Sequence, residues 1–333
     1  MKYKKLGLSN THEMFADALR GGHAVPAFNF NNMEQLQAII AAATKTRSPV
    51  ILQVSESAMA YMGDEILIGM VGGALKGITE FPVALHLDHG RSYEICQHAI
   101  DIGFSSVMID ASDLDLEKNI ALSARVAKYA HSHDVTVEAE LGGLYGIEDD
   151  APQLSTGENH YTNPAEVAKF ATETGVDSLA VSIGTSHGAY KMKCHPAEPQ
   201  SGECGTSATQ TCTLRFDILE QIRKSAPNLP LVLHGASSVP QSLIDEINKF
   251  GGRIDGAHGI PRNQLQRATK MGICKINVDS DGRLAFTAAV RAELTRDPAN
   301  FDPRKYLSAA REKMTGLYID EIENVMGSAY ITS

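Results

Sequence analysis

Three histidines lie far apart in the chain, and each is followed directly by glycine: His89 with Gly90, His187 with Gly188, and His234 with Gly235. Each stands at or just beyond the end of a short apolar run that reads as a strand. Three imidazoles with one position left open form the donor set of a catalytic zinc ion. A lone histidine at a strand end is more often a hydrogen-bonded structural residue. Three of them, each beside a glycine that lets backbone approach a ligand closely, favour the metal. Asp88 directly precedes His89. A carboxylate held at the edge of such an ion can exchange a proton with a substrate hydroxyl. The remaining histidines carry less. His131 and His133 form a His-X-His at a helix end and are expected to be solvated. His12, His23, His98, His160 and His258 fall on helices or loops. His86 is expected to point into the interior as a packed, hydrogen-bonded residue.

These residues need a frame that gathers them. Eight short segments rich in β-branched and apolar residues recur along the chain: VPAFNF (25–30), PVILQVS (49–55), PVALHLD (82–88), SSVMID (105–110), TVEAEL (136–141), SLAVSIG (178–184), PLVLHGAS (230–237) and CKINVDS (274–280). Most are continuous apolar runs, the pattern of strands covered on both faces. The intervals carry helical periodicity with start and stop signals: Asn31 or Asn32 before NMEQLQAIIAAATKT, a glycine closing SYEICQHAIDIG, and proline in the first turn of NPAEVAKFATETG. Strand and helix alternating eight times predict an α/β fold of the (β/α)8 TIM-barrel type, with residues 1–333 forming one catalytic domain. An open doubly wound sheet is the competing architecture, but no GxGxxG follows any early strand. Two stretches break the rhythm: a glycine-rich acidic segment after strand five, and a polar excursion over 192–213 after strand six. From about Asp302, a helical extension (302–333) is expected beyond the barrel.

In a barrel of this kind the chemistry sits at the C-terminal ends of the strands. Those ends carry Asn29, Ser55, Asp88, His89, Asp110, Glu140, His187, Lys191, His234, Ser237, Asn277, Asp279 and Ser280. The runs HGASS and NVDSD, on neighbouring strands seven and eight, offer backbone N–H groups and hydroxyls suited to a phosphate, and Lys191 adds a point charge. A local positive site is what an anionic substrate needs here, because the chain as a whole carries a formal charge of −10. That charge excludes nucleic acid and anionic membrane as general partners. No apolar run suits a signal peptide or a membrane span. The five cysteines (Cys96, Cys194, Cys204, Cys212, Cys274) form no CxxC pair and fit a reduced cytoplasm. Cys194, His195, Cys204 and Cys212 match no known metal-finger spacing. Schiff-base chemistry is disfavoured, since Lys275 starts strand eight at the wrong end and Lys191 lies in a loop.

The motifs AFNF, SPVILQ, HLDHG, GFSSVMIDAS, VEAELG, IGTSHGAYK, LVLHGASSVP, KINVDSD and FDPRKYL, in this order along nearly the whole chain, resemble those of class II, metal-dependent fructose-1,6-bisphosphate aldolases. Tagatose-1,6-bisphosphate aldolases share the same blocks. The resemblance implies a lyase that splits the sugar bisphosphate reversibly into dihydroxyacetone phosphate and glyceraldehyde 3-phosphate. It implies zinc on His89, His187 and His234, and Asp88 as the acid/base at the C4 hydroxyl. Glu148 matches the acid that protonates the enediolate, and Asp110 and Glu140 match a second or alternative metal position. Gly188, Lys191, Gly235, Ser237, Asn277, Asp279 and Ser280 match the site for dihydroxyacetone phosphate. Arg283 matches an arginine that reaches the other phosphate, often from a neighbouring subunit. Asn29 and Ser55 belong to the same rim. A homodimer or homotetramer and a monovalent cation are also compatible with the resemblance. Departures are few: DASDLD lacks the histidines that some relatives carry after strand four, Ser280 stands where threonine is usual, and Gly282 is expected to loosen Arg283. A metal-dependent hydrolase and a non-catalytic protein on the same scaffold are the rival readings. Strand one, however, ends in FNF rather than the hydrolase His-X-His.

Overall fold

A computed structural model describes residues 1–143, 161–188 and 214–331. Glu148, Lys191 and the 192–213 excursion with its cysteines and His195 lie outside the described residues. Eight parallel strands close into a barrel in chain order: β1 Val25–Asn29, β2 Val50–Ser55, β3 Val83–Gly90, β4 Ser106–Ile109, β5 Thr136–Leu141, β6 Ser178–Val181, β7 Leu231–Leu233 and β8 Ile273–Val278. All match the expected segments, trimmed or extended by a few residues. Their outward side chains, such as Phe28, Leu52, Leu85 and Val137, join one large core under the surrounding helices.

The helices begin where their capping residues allow. Asn32 accepts from the Gln35 N–H at 2.9 Å and starts Met33–Thr46. Ser92 caps Tyr93–Ile102, which stops at Gly103. Asn163 and Pro164 open Pro164–Thr174, and a left-handed Gly175 closes it. Asp302 accepts from the Arg304 N–H at 3.0 Å and starts the long helix Pro303–Glu321. Pro303–Glu321 lies against Met33–Thr46 and against Ser280–Arg296.

Two features depart from the sequence reading. The N-terminal helix His12–Gly21 plugs the lower end of the barrel: its Met14, Phe15 and Ala18 pack on Val25, Ile51 and Ala84. Gly282 does not serve to loosen Arg283. It is buried in Ser280–Arg296, where a Cβ would collide with the Tyr318 hydroxyl of the C-terminal helix. The missing side chain lets the two helices approach, and Tyr318 in turn packs on Phe28 with ring centroids 4.2 Å apart.

Candidate active site and metal centre

Asp88 and His89 are neighbours on β3, and neighbours on a regular strand face opposite sides. Both nevertheless reach the barrel mouth. The pairing of β3 with β4 shifts register between Leu87 and Gly90, and His89 adopts φ 50°. A bulge with a left-handed residue turns the imidazole back toward its neighbour's side, at a backbone cost of about 1–3 kcal/mol. Gly90 completes the bend: a Cβ there would lie 2.7 Å from both Leu87 Cδ2 and the Met108 carbonyl oxygen. Gly235, at φ 57°, leaves room for the backbone of Ser186. At these two positions the glycine after the histidine also accommodates neighbouring protein. Gly188 is likewise left-handed, at φ 75°.

The donor atoms converge. His89 Nε2 lies 2.8 Å from His234 Nδ1, and Asp88 Oδ1 is 3.9 Å from each of those nitrogens. The His187 ring stands edge-on to His89 at a centroid distance of 4.8 Å and is 6.4 Å from His234. Asp88, His89 and His234 bring their ligand atoms within 4.8 Å of one another, and His187 is outside that group. The expected trio therefore assembles as two imidazoles and Asp88, with His187 alongside. His187 sits several residues beyond the end of β6, whereas His89 and His234 stand at strand ends. The far nitrogen of His89, Nδ1, is 2.8 Å from Asp110 Oδ2 and 3.9 Å from Glu140 Oε2, a second convergent group.

These donors fit a divalent cation. A tetrahedral zinc separates two imidazole nitrogens by about 3.3 Å, so His89 and His234 need to part by only about half an ångström. Glu140 Oε2 is buried and has no hydrogen-bond partner, a costly state for a carboxylate unless a cation or a proton neutralises it. Burial, reinforced by Asp110, pushes the Glu140 carboxyl well above its usual range. Burial opposes charge on His89, but the hydrogen bond to Asp110 and the nearby carboxylates outweigh it and hold the imidazole well above its ordinary value. His234 moves the other way, depressed by burial and by His89.

Asp88 is fixed by two amides: Asn29 Nδ2 donates to Oδ2 at 2.8 Å, and Asn277 Nδ2 to Oδ1 at 3.3 Å. Gln53 Nε2 steadies Asn29 by donating to its Oδ1 at 2.9 Å. Ser55 pairs in register with Asp88, and its hydroxyl caps the following helix by accepting from the Ala58 N–H at 3.3 Å. At the neighbouring ends of β7 and β8, Ser237 is buried. The N–H groups of Ser238 and Val239 donate to Asp281 at 2.8 and 2.7 Å. Asp279 occupies the N-cap position of the helix that Ser280 begins, and Arg283 Nε donates back to Asp279 at 2.8 Å.

Below this rim lies a polar layer that the sequence reading did not single out. Glu138, one turn of the pleat beneath Glu140, contacts His234 Nε2 at 2.6 Å and Lys275 Nζ at 2.8 Å. The signal was available in VEAEL and KIN. Charged or polar residues two apart on a buried strand share one face, and both strands present that face to the barrel interior. His86 sits in the same layer, hydrogen-bonded to Ser106 Oγ at 2.8 Å, as its expected packed position requires.

Residues 9–330 match the family model described as Fructose-bisphosphate aldolase class-II. A fructose-bisphosphate aldolase of Treponema pallidum (strain Nichols) is 51% identical over 336 residues, with 98% of each chain covered. One from Thermus caldophilus is 48% identical over 300 residues, covering 90% of this chain and 92% of the relative. Among solved structures, the YdjI aldolase from Escherichia coli K12 superposes with a TM-score of 0.74 at 27% identity, covering 98% of this chain and 100% of that one.

Proposed function

The chain belongs to the class II fructose-bisphosphate aldolase family, and from that premise we propose how its own residues cleave fructose 1,6-bisphosphate. The reaction is a reversible carbon–carbon cleavage to dihydroxyacetone phosphate and glyceraldehyde 3-phosphate. The observation that carries the reading is the meeting of His89 Nε2 and His234 Nδ1 at 2.8 Å with the Asp88 carboxylate beside both. His89 and His234, joined by the adjacent His187, would hold zinc; Asp110 and Glu140 offer a second or alternative cation position on the far side of His89. A divalent ion in this place supplies an electron sink that polarises the C2 carbonyl.

Asp88 takes the proton from the C4 hydroxyl as the C3–C4 bond breaks, and returns it in the condensation direction. Asn29 and Asn277 keep both of its oxygens oriented for that transfer. The loops 235–237 and 279–280 offer backbone N–H groups and hydroxyls to the phosphate of the dihydroxyacetone half, and Gly188 and Lys191 are assigned to the same phosphate. Glu148 is assigned the proton at C3, and Arg283 the distal phosphate of a neighbouring subunit in a homodimer or homotetramer. A cytoplasmic setting fits the buried free thiols of Cys96 and Cys274, the two cysteines among the described residues, and no helix among those residues is long and apolar enough to cross a membrane.

The test compares cleavage of fructose and tagatose bisphosphates by zinc-loaded and chelator-treated enzyme. The fructose substrate should be preferred, with triose phosphates as products, and chelation should abolish turnover on both. Release of inorganic phosphate in place of triose phosphates would instead mark a hydrolase.

A further inference from the structure

We propose that Glu138 is a positioning residue that locks His234 in one tautomer, and that the buried Lys275 holds Glu138 in that role. His234 as a metal ligand is taken from the proposed function; the hydrogen-bond chain beneath it stands on its own geometry. Glu138, Lys275 and His86 are all buried at 1% exposure or less. Lys275 Nζ lies 2.8 Å from Glu138 Oε2 and 3.2 Å from His86 Nε2. An ammonium only donates. His86 Nε2 must therefore accept, which puts the His86 proton on Nδ1, where it donates to Ser106 Oγ at 2.8 Å.

The second oxygen of Glu138 completes the chain. Oε1 is 2.6 Å from His234 Nε2, and a carboxylate only accepts. The His234 proton is therefore on Nε2, leaving the Nδ1 lone pair on the side of the mouth. Asn277 Nδ2 lies 3.0 Å from His234 Nδ1 and 3.4 Å from Nε2, so the tautomer is set by Glu138 rather than by this amide. Glu138 thus fixes both the ring plane and the ligating nitrogen. Lys275 neutralises the carboxylate and occupies its other oxygen, so that the pair can be buried without water. A carboxylate behind a ligand imidazole commonly contributes 10- to 100-fold in metal affinity.

The experiment uses the full chain with 15N-labelled histidine, stripped of metal by a chelator and then titrated with zinc against a competing indicator. Wild type should show His234 as a single Nε2–H tautomer before zinc is added. Because Glu138→Ala leaves Lys275 buried without its counter-ion, the principal variant is the double replacement Glu138→Leu with Lys275→Met, which removes the pair together and should fold. It should show both His234 tautomers and a zinc Kd raised roughly 10- to 100-fold. Glu138→Gln, whose carbonyl can still accept from Nε2–H, should restore the single tautomer. A zinc Kd within threefold of wild type in the double variant, or an unchanged single tautomer there, would overturn the proposal. His234→Ala binding zinc as tightly as wild type would instead overturn the ligand assignment, and the tautomer readout separates the two failures.

Discussion

Asp88 and His89 face the same mouth because His89 accepts a left-handed backbone, and the division of labour follows from that adjacency. In the proposed function His89 serves the metal, while Asp88, which lies beside the same donor group and is braced by Asn29 and Asn277, moves the proton. Asp88→Ala should therefore retain bound zinc and lose about 100- to 10,000-fold in kcat, the usual range for a general acid–base. Steady-state rates together with metal analysis of the same preparation check both halves. Unchanged turnover would remove Asp88 from the chemistry. At this scale the sequence was informative where residues carry function at strand ends, since Asp88, His89, His234 and Asn277 do converge. It was silent on which imidazole nitrogen faces the mouth, because that depends on Glu138, a residue hidden one layer down and fixed by a lysine on another strand.

Among the elements, the bulge in β3 and the loop after β7 do the positioning. Gly90→Ala would press a methyl group against Leu87 and the Met108 carbonyl. It should cost roughly 1–3 kcal/mol of stability, measurable by thermal unfolding, and lower zinc affinity as the bend opens. The loop after β7 depends on Asp281, which is fully buried and accepts from Ser238 N, Ser238 Oγ and Val239 N. Those bonds hold Val239, a β-branched residue, at φ 47°, a conformation it rarely adopts unaided. Asp281→Ala should release the loop, destabilise the fold by roughly 2–5 kcal/mol and raise KM for the bisphosphate. An unchanged KM would separate this loop from phosphate binding. The strands and helix caps were legible because they rest on local chemistry, as at Asn32, Ser92 and Asn163. The bulge was not, since an extra residue in a ladder is defined only against the neighbouring strand. Nor was the role of Gly282, which answers to a tyrosine in a distant helix.

Over the whole molecule, the C-terminal helix Pro303–Glu321 ties the barrel's outer layer to the loop after β7. Its last residue, Glu321, is buried, and its carboxyl is pushed up to about 8 by burial and by Asp281, in spite of Arg262. The unfolded chain ionises this group near its ordinary value, so between roughly pH 4.5 and 8 the folded state binds more protons and stability falls as pH rises. Below that window both states are protonated and the full contribution is present. Glu321→Gln should therefore gain melting temperature relative to wild type as pH rises toward 8, with no such gain near pH 4.5. A difference independent of pH would show that Glu321 is ionised in the fold.

The central claim is that imidazoles from separate strands hold one divalent ion without which the bisphosphate is not split. The most direct measurement is the cleavage rate of chelator-stripped enzyme during zinc titration, with His89→Ala and His234→Ala run in parallel. Activity should be absent without metal, return fully at one zinc per chain, and fail to return in either variant at that stoichiometry. Undiminished cleavage by fully stripped enzyme, or normal zinc-dependent recovery in both variants, would contradict the account.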